Sequence, residues 1–163
     1  MIPIRNTERK DLRRIHTLEQ IIEGENAASR DAIEARFDLC SDGWFVVEMN
    51  RKIVGYVEVV RYEDFTINTF EDIRDFSRIS DPAGENLYII FLAVHPNRRK
   101  RGYASWLVQN VIWYAKKQKL RKIRVVAGQG LSPLYEKLGF EVIRHLPNFL
   151  PISTGTEMEL QLY

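Results

Sequence analysis

Residues 92–104 read LAVHPNRRKRGYA, and the interpretation of the whole chain starts from this stretch. A continuous apolar run over residues 87–94 leads into it, and such a run is typical of a strand that is buried on both faces. Pro96 ends the strand, four basic residues follow, and Gly102 opens an amphipathic helix. We therefore predict a buried strand, a basic turn and a helix in direct succession.

The basic turn has the features of an anion site. The first N–H groups of a helix have no partner inside the helix, and the helix dipole adds partial positive charge there. Gly102 lacks a Cβ and Ala104 is small, so that a ligand can approach the backbone closely. The turn therefore predicts a phosphate or pyrophosphate site. The residues expected to form it are Arg99, Lys100, Arg101, Gly102, Tyr103 and Ala104.

Two common phosphate-binding motifs are absent from the sequence. The nucleoside-triphosphate loop requires G-x-x-x-x-G-K-S/T, which does not occur. Gly128 and Gly130 begin a G-x-G-x-x-G dinucleotide pattern, but Pro133 stands where its third glycine is needed. The phosphate ligand must therefore be recognised by another motif.

Arg99, Gly102 and Ala104 match the acyl-CoA signature of the GNAT superfamily of N-acetyltransferases, in which Gln or Arg is followed three residues later by Gly and five residues later by Gly or Ala. Residues 134–140, LYEKLGF, are similar to the L-Y-x-x-x-G-F block of the same superfamily. The specific resemblance covers about residues 87–141. Many members carry Asn and Ala where this chain has Gly128 and Leu131, so that a cofactor contact made by the Asn is expected to be missing.

One branch of the superfamily, the serotonin (arylalkylamine) N-acetyltransferases, shows a faint similarity around residues 132–135 and 156–158. That branch uses a pair of histidines on the strand where this chain has Tyr88 and Ile90. The substrate of that branch is therefore not carried over to this chain.

The resemblance implies direct transfer of an acetyl group from acetyl-CoA to a primary amine, without a metal. The amides of residues 99–104 would hold the pyrophosphate, and the main chain of Leu92, Ala93 and Val94 would pair with the pantetheine arm. The resemblance makes Tyr135 the general acid for the leaving thiolate. Tyr88 occupies a position where several members place a base, and Glu85 is the second candidate for that role.

The order of elements predicts one α/β (α+β) domain over residues 1–163. We expect a mixed, mostly antiparallel sheet of six to seven strands flanked by about four helices. Thr7 and Ser29 are candidate N-caps of the first two helices, and residues 44–48 and 53–61 predict a hairpin. A short helix is expected around residues 69–76.

The composition further narrows the class of protein to which the chain can belong. The chain has 163 residues, 45% of them hydrophobic, a net charge of +2 and a single cysteine, Cys40, which is expected to be a buried apolar residue. The first residues run directly into charged sequence and no run is long enough to span a bilayer, which predicts a cytoplasmic protein without a membrane partner. His16, His95 and His145 show no metal-ligand spacing.

The acceptor and the partners stay open at this stage. Residues 62–85 are acidic and contain Phe65, Phe70 and Phe76, which suggests a surface for a cationic acceptor. The acceptor is expected to be a small-molecule amine or a peptide N-terminus, and Trp106 and Trp113, seven residues apart, leave a homodimer open. One alternative function is a non-catalytic acyl-CoA-binding module. A nucleic-acid-binding domain is the less favoured alternative, and we expect no nucleic-acid partner.

Overall fold

The computed structural model describes residues 3–74, 78–128, 130–149 and 154–163. Its strands are β1 (Ile4–Asn6), β2 (Phe45–Met49), β3 (Lys52–Tyr62), β4 (Asn86–Val94), β5 (Lys122–Gly128), β6 (Glu141–Leu146) and β7 (Gly155–Gln161). Its α-helices are α1 (Leu12–Glu23), α2 (Arg30–Leu39), α3 (Phe70–Arg74), α4 (Tyr103–Lys117) and α5 (Ser132–Lys137).

The seven strands form one mixed sheet in the order β1-β2-β3-β4-β5-β7-β6. The pairs β1–β2, β2–β3, β5–β7 and β6–β7 are antiparallel, whereas β4 and β5 run parallel. The expected mixed, mostly antiparallel sheet is therefore confirmed, and its seven strands lie at the upper end of the expected range.

The chain divides into two compact units. The first comprises residues 1–59 and 91–111, and the second comprises residues 60–90 and 112–163. Strands β3 and β4 and helix α4 each contribute residues to both units.

The core of the first unit forms around Trp44, which is fully buried and immediately precedes β2. Its indole N–H donates to the Val59 carbonyl at 3.0 Å, and the Phe37 ring meets the indole edge-on with 5.2 Å between centroids. The hairpin of β2 and β3 turns at Asn50 and Arg51, whose φ angles are 50° and 62°. Two consecutive residues with positive φ are typical of a type I′ turn, and the predicted hairpin is confirmed.

The first helix begins later than the sequence predicted. Residues Arg9–Asp11 form a single 3₁₀ turn, and α1 starts at Leu12. The carboxylate of Asp11 accepts the Glu8 N–H at 2.7 Å, whereas Thr7 is buried and its hydroxyl caps nothing among the described residues. The prediction that Thr7 caps the first helix was therefore wrong. The N-cap prediction for Ser29 is confirmed, because its hydroxyl accepts the Ala32 N–H at 3.1 Å.

The second unit contains the short helix α3 that was expected near residue 70, although Phe76 lies outside the described residues. The Phe70 ring meets that of Phe149 edge-on with 6.0 Å between centroids. Among the described residues, we find no helix with the length and hydrophobicity needed to cross a bilayer.

Gly84 allows two backbone segments of the second unit to approach closely. A Cβ at this position would lie 2.4 Å from both the carbonyl carbon and the oxygen of Tyr62. The Arg61 Nε–H donates to the Gly84 carbonyl at 2.9 Å and fixes this arrangement. The turn therefore has no room for a side chain.

We expect Gly84→Ala to lower the free energy of unfolding by about 2–3 kcal/mol, because backbone atoms must move apart. Urea denaturation with a constant m-value would measure this loss. Gly24→Ala is the matched control, because Gly24 has a φ of +56° but its added Cβ would meet no atom within 4 Å. The control should lose only about 1 kcal/mol, from backbone strain alone. Equal losses in both variants would contradict the close approach at Gly84.

Candidate functional site

The basic turn of the first unit has an unusual backbone. Residues Pro96–Arg98 form a 3₁₀ turn, in which the Asn97 N–H donates to His95 Nδ1 at 3.1 Å. Lys100 then adopts a φ of 62° and Gly102 a φ of 85°, immediately before α4 begins. A positive φ is rare for lysine, and such strain is found preferentially where the backbone serves a ligand.

The hydrogen bonding of the backbone amides is the second feature of this turn. Within the described part of the chain, no backbone N–H from Arg99 to Ala104 donates a hydrogen bond to a protein group. The first bond of the helix is made by the Trp106 N–H to the Gly102 carbonyl at 3.0 Å. Six consecutive donors at a helix N-terminus, next to four basic side chains, form the kind of nest that binds a pyrophosphate. The structure places the predicted phosphate-binding residues, Arg99, Lys100, Arg101, Gly102, Tyr103 and Ala104, in one turn at the start of α4, and their role stays a prediction.

Neighbouring backbone holds the turn in place. The His95 N–H donates to the Val54 carbonyl at 2.7 Å, and Arg99 Nε–H donates back to the Val94 carbonyl at 3.1 Å. A Cβ at Gly55 would come within 3.3 Å of the Ala93 oxygen, so the glycine lets β3 lie close to the end of β4. These contacts anchor the turn, which carries the open amides, to strands β3 and β4.

The last residues of β4 are those predicted to contact the pantetheine arm. The parallel register of β4 with β5 covers Asn86 to Ile89, and Ile89 lies opposite Val125. Among the described residues, this register does not extend to Leu92, Ala93 or Val94. An extended ligand could therefore use their main-chain groups as a neighbouring strand would.

A cluster of buried charges lies in the same unit, and the sequence reasoning missed it. Glu19 from α1, Arg36 from α2 and Glu58 from β3 are all at least 96% buried. Arg36 Nη2 lies 3.2 Å from Glu19 Oε1 and 3.3 Å from Glu58 Oε2, and its Nε lies 3.0 Å from Glu58 Oε1. The Arg36 guanidinium also lies over the ring of Phe91, 4.8 Å from its centroid. We call Glu19, Arg36 and Glu58 the buried charge cluster.

The buried charge cluster has two carboxylates for one guanidinium. Burial raises the pKa of Glu58 to about 7; the Arg36 charge opposes this and the Glu19 charge adds to it. The neighbouring Tyr56 hydroxyl donates to Glu19 Oε1 at 3.4 Å, and the Ala28 N–H donates to Glu19 Oε2. Burial and the Glu19 charge also raise the pKa of Glu23, which the Arg99 charge lowers. Glu58 can therefore gain or lose a proton near neutral pH.

One local signal for this cluster was available in the sequence. Glu58 interrupts the apolar run of β3, where a charged residue is unexpected unless it is paired. Its partners lie 22 and 39 positions earlier in the chain, and no local pattern indicates that Arg36 and Glu19 belong with it. The cluster is therefore a product of tertiary packing.

Tyr135, the predicted general acid, lies in the second unit on α5. Its side chain is 1% exposed, and its ring meets Phe140 edge-on with 5.3 Å between centroids. Burial raises the pKa of the Tyr135 phenol. The hydroxyl therefore stays protonated at neutral pH and can donate a hydrogen bond.

Tyr88, a predicted base, is fully buried in the second unit. Its hydroxyl lies 3.3 Å from the Phe65 carbonyl and 3.5 Å from Glu157 Oε2. Burial raises the pKa of Tyr88, and the Glu157 charge adds to that effect. The phenolate form of Tyr88 is thus disfavoured. The carboxylate near its hydroxyl belongs to Glu157, which is 1% exposed and pairs with Arg144 at 3.3 Å. The sequence reasoning did not assign Glu157 to the site.

Glu85, the other predicted base, has different surroundings. Its carboxylate is about half exposed and pairs with Arg121 Nε at 2.8 Å. It precedes the first residue of β4, whereas Leu92, Ala93 and Val94 end that strand.

The acidic segment uses its carboxylates locally. Asp72 Oδ2 accepts the N–H groups of Asn68 and Thr69, the two residues before α3, at 2.9 and 3.0 Å. Glu63 Oε2 accepts the Glu85 N–H at 2.9 Å. These two carboxylates hold backbone, which weakens the hypothesis that the segment exists to bind a cationic acceptor.

Known proteins share both the sequence pattern and the fold. The acetyltransferase (GNAT) family matches residues 9–140. The chain is 25% identical over 151 residues to the uncharacterized N-acetyltransferase YkwB of Bacillus subtilis (strain 168), which covers 86% of this chain and 66% of that protein. The chain spans 66% and 39% of the lengths of the two curated relatives it matches.

Solved structures support the same fold. The loading GNATL domain of CurA from Lyngbya majuscula has a TM-score of 0.83 at 15% identity, covering 99% of this chain and 98% of that one. The GphF GNAT-like decarboxylase in complex with isobutyryl-CoA has a TM-score of 0.79 at 18% identity, covering 98% and 99%. At these identities, the similarity shows the fold alone.

The buried charge cluster makes stability depend on pH. A carboxyl whose pKa is raised in the folded state binds more protons there than in the unfolded chain. Glu58 therefore stabilises the fold fully below its unfolded value of 4.5, and this stabilisation is lost as the pH rises through about 7. We expect the wild-type free energy of unfolding to fall by up to about 3 kcal/mol between pH 5 and pH 8.

Glu58→Gln should remove most of this fall, as urea denaturation at the two pH values would measure. The control is Glu159→Gln. Burial acts to raise the pKa of Glu159, but hydrogen bonds from Arg124 and Lys122 outweigh it and lower the pKa, so its titration lies below this window. A Glu58→Gln protein with the wild-type pH dependence would show that Glu58 is not the titrating group.

Proposed function

The chain belongs to the acetyltransferase (GNAT) family, and on that premise we propose that it transfers the acetyl group of acetyl-CoA directly to a primary amine. The observation that carries this proposal is the run of open amides from Arg99 to Ala104, directly after a buried strand. Acetyl-CoA combines a pyrophosphate with an amide-bearing arm. The open amides of the turn suit the pyrophosphate, and the main chain at the end of β4 suits the amide-bearing arm.

In the proposed complex, the six amides and the basic side chains of the turn hold the pyrophosphate. Leu92, Ala93 and Val94 bond the pantetheine amides through their main chain. Binding at both places fixes the position of the thioester, and such positioning can supply several kcal/mol, about 7–11 in favourable intramolecular cases, of the barrier reduction.

The proposed reaction is a single displacement at the thioester carbonyl. The neutral amine nitrogen forms a bond to the carbonyl carbon, and the C–S bond then breaks with its electron pair leaving on sulfur. Tyr135 donates a hydrogen bond from its phenol to the developing thiolate. Because its pKa is raised, the phenol is suited to hydrogen bonding rather than to complete loss of its proton. The proton released by the amine nitrogen balances the thiolate as free thiol.

The amine must lose a proton before it can attack. An alkylamine with a pKa of about 10.4 is neutral in only about one molecule in a few thousand at pH 7. We propose that Tyr88 relays this proton to the Glu157 carboxylate, because the two oxygens lie 3.5 Å apart. Glu85 remains the alternative acceptor, with its exposure and its Arg121 pair against it.

The acceptor class is part of the proposal. A small-molecule amine or a peptide N-terminus is the expected acceptor, with residues 1–163 acting as one catalytic domain in the cytoplasm. A homodimer stays a proposal that the sequence motivates. A non-catalytic acyl-CoA-binding module would bind the same cofactor, and only turnover separates it from the enzyme.

Calorimetric titration with acetyl-CoA is the first test. We expect saturable one-site binding, and we expect Gly102→Val to weaken it at least about tenfold, because a β-branched side chain disfavours the φ of 85° and blocks approach to the amides. Gly139→Val is the control, since Gly139 also has a positive φ, 98°, but lies in the turn before β6. Thermal unfolding of both variants separates misfolding from lost binding. Absence of binding at millimolar acetyl-CoA would overturn the proposal.

Tyr135→Phe tests the chemical role. The ring contact with Phe140 can persist without the hydroxyl, so the fold should be retained. We expect kcat to fall by a factor of about 100, with KM for acetyl-CoA changed less than threefold, because general-acid assistance acts in the transition state. Thiol release with a panel of amines at saturating acetyl-CoA measures both. An unchanged kcat would exclude Tyr135 from the reaction, and binding without any thiol release would favour the non-catalytic module.

A further inference from the structure

The two exposed tryptophans of α4 differ in their surroundings. Trp106 is 44% exposed and Trp113 is 55% exposed, so neither is a core residue. Lys117 Nζ lies 4.9 Å from the centroid of the Trp113 ring, which gives that indole a cation from its own helix. Large exposed aromatic side chains are enriched at binding sites, and Trp106 therefore requires its own explanation.

Trp106 lies against the phosphate-binding turn. A Cβ built on Gly102 would have Trp106 Cδ1 at 3.7 Å and Nε1 at 3.9 Å as its nearest neighbours. The cause is helix geometry, because long side chains on a helix lean towards its N-terminus and over the residue four positions earlier. The N–H edge of the indole therefore borders the same space as the open amides.

We propose that Trp106 binds the adenosine 3′,5′-phosphate end of acetyl-CoA, adjacent to the pyrophosphate held by the turn. This inference rests on the proposed function. In the proposed complex, the pantetheine arm runs from the pyrophosphate towards the end of β4. The nucleotide, at the other end of the pyrophosphate, therefore lies on the side of the turn that faces α4. The adenine face can stack on the indole, and the indole N–H can donate to a phosphate oxygen.

The charges of the turn support a nucleotide in preference to a second copy of the chain. Arg98, Arg99, Lys100 and Arg101 precede Gly102 without an intervening acidic residue. Like-signed turns brought together in a symmetric dimer would repel each other, whereas a phosphorylated nucleotide would be attracted. Trp106 thus becomes a determinant of cofactor specificity, since it would distinguish acetyl-CoA from an acetylated carrier that lacks adenosine.

The test compares two acetyl donors on two matched variants. Acetyl-CoA and S-acetyl-4′-phosphopantetheine share the thioester, the pantetheine arm and one phosphate, and only the first has the nucleotide. We expect Trp106→Leu to raise the Kd for acetyl-CoA about tenfold, within the range for loss of one stacked base. The same variant should leave the affinity for the truncated donor unchanged. Trp113→Leu, from the same helix, should change neither.

A second readout uses the nucleotide half alone. Adenosine 3′-phosphate 5′-diphosphate should quench tryptophan fluorescence in the wild type and in Trp113→Leu, and it should quench less in Trp106→Leu. The proposal is overturned if Trp106→Leu weakens both donors equally, which would indicate a disturbed turn, or weakens neither. It is also overturned if both variants convert a dimer into a monomer without any change in acetyl-CoA affinity.

The outcomes separate this inference from the proposed function. If the wild type fails to bind acetyl-CoA, both fail together. If the wild type binds acetyl-CoA and Gly102→Val weakens binding as expected, while Trp106→Leu behaves as Trp113→Leu, the proposed function stands and the assignment of Trp106 is wrong.

Discussion

Among the residues that the structure describes, six consecutive amides between β4 and the first turn of α4 lack a protein acceptor. The backbone reaches this conformation only with a positive φ at Lys100 and at Gly102. Two hydrogen bonds hold the residues that precede these positions: the Val54 carbonyl accepts the His95 N–H, and the Val94 carbonyl accepts the Arg99 Nε–H. Open donors of this kind stabilise the fold little by themselves, so their arrangement is best understood as preparation for an anion.

The first unit carries opposite charges at its surface and in its interior. Its surface turn carries four consecutive basic residues, while its interior holds the buried charge cluster with one carboxylate in excess. An excess buried charge is unfavourable unless it can be neutralised, and protonation of Glu58 provides the means. The cluster is therefore expected to make the stability of the first unit respond to pH near neutrality. Replacing it by apolar side chains would be expected to remove that response.

The second unit contains two buried tyrosines whose candidate roles differ. Tyr135 and Tyr88 are both buried phenols with raised pKa values, yet their surroundings differ. Tyr135 has an aromatic neighbour, Phe140, which favours a neutral hydrogen-bond donor. Tyr88 has the Glu157 carboxylate within 3.5 Å, which gives it a route for a proton. Two residues of one type therefore lie in different electrostatic surroundings, which is the basis for the different roles proposed for them.

The sequence by itself determined the elements whose causes are local. The apolar run of β4, the proline and basic residues after it, the amphipathic pattern of α4 and the cap at Ser29 act over a few residues, and all appear where they were expected. Helix α1 departed from expectation because a 3₁₀ turn precedes it, in which the Asp11 carboxylate accepts the Glu8 N–H, while the Thr7 hydroxyl caps nothing among the described residues. Only the tertiary structure decided the buried charge cluster, the Tyr88–Glu157 pair and the position of the Trp106 indole beside Gly102. The first two join residues far apart in the chain, and their energies depend on burial, which no local spacing encodes. The juxtaposition of Trp106 and Gly102 is local in sequence. Its relevance to a ligand depends on the tertiary structure, because β3 and β4 hold the turn that lies next to the indole.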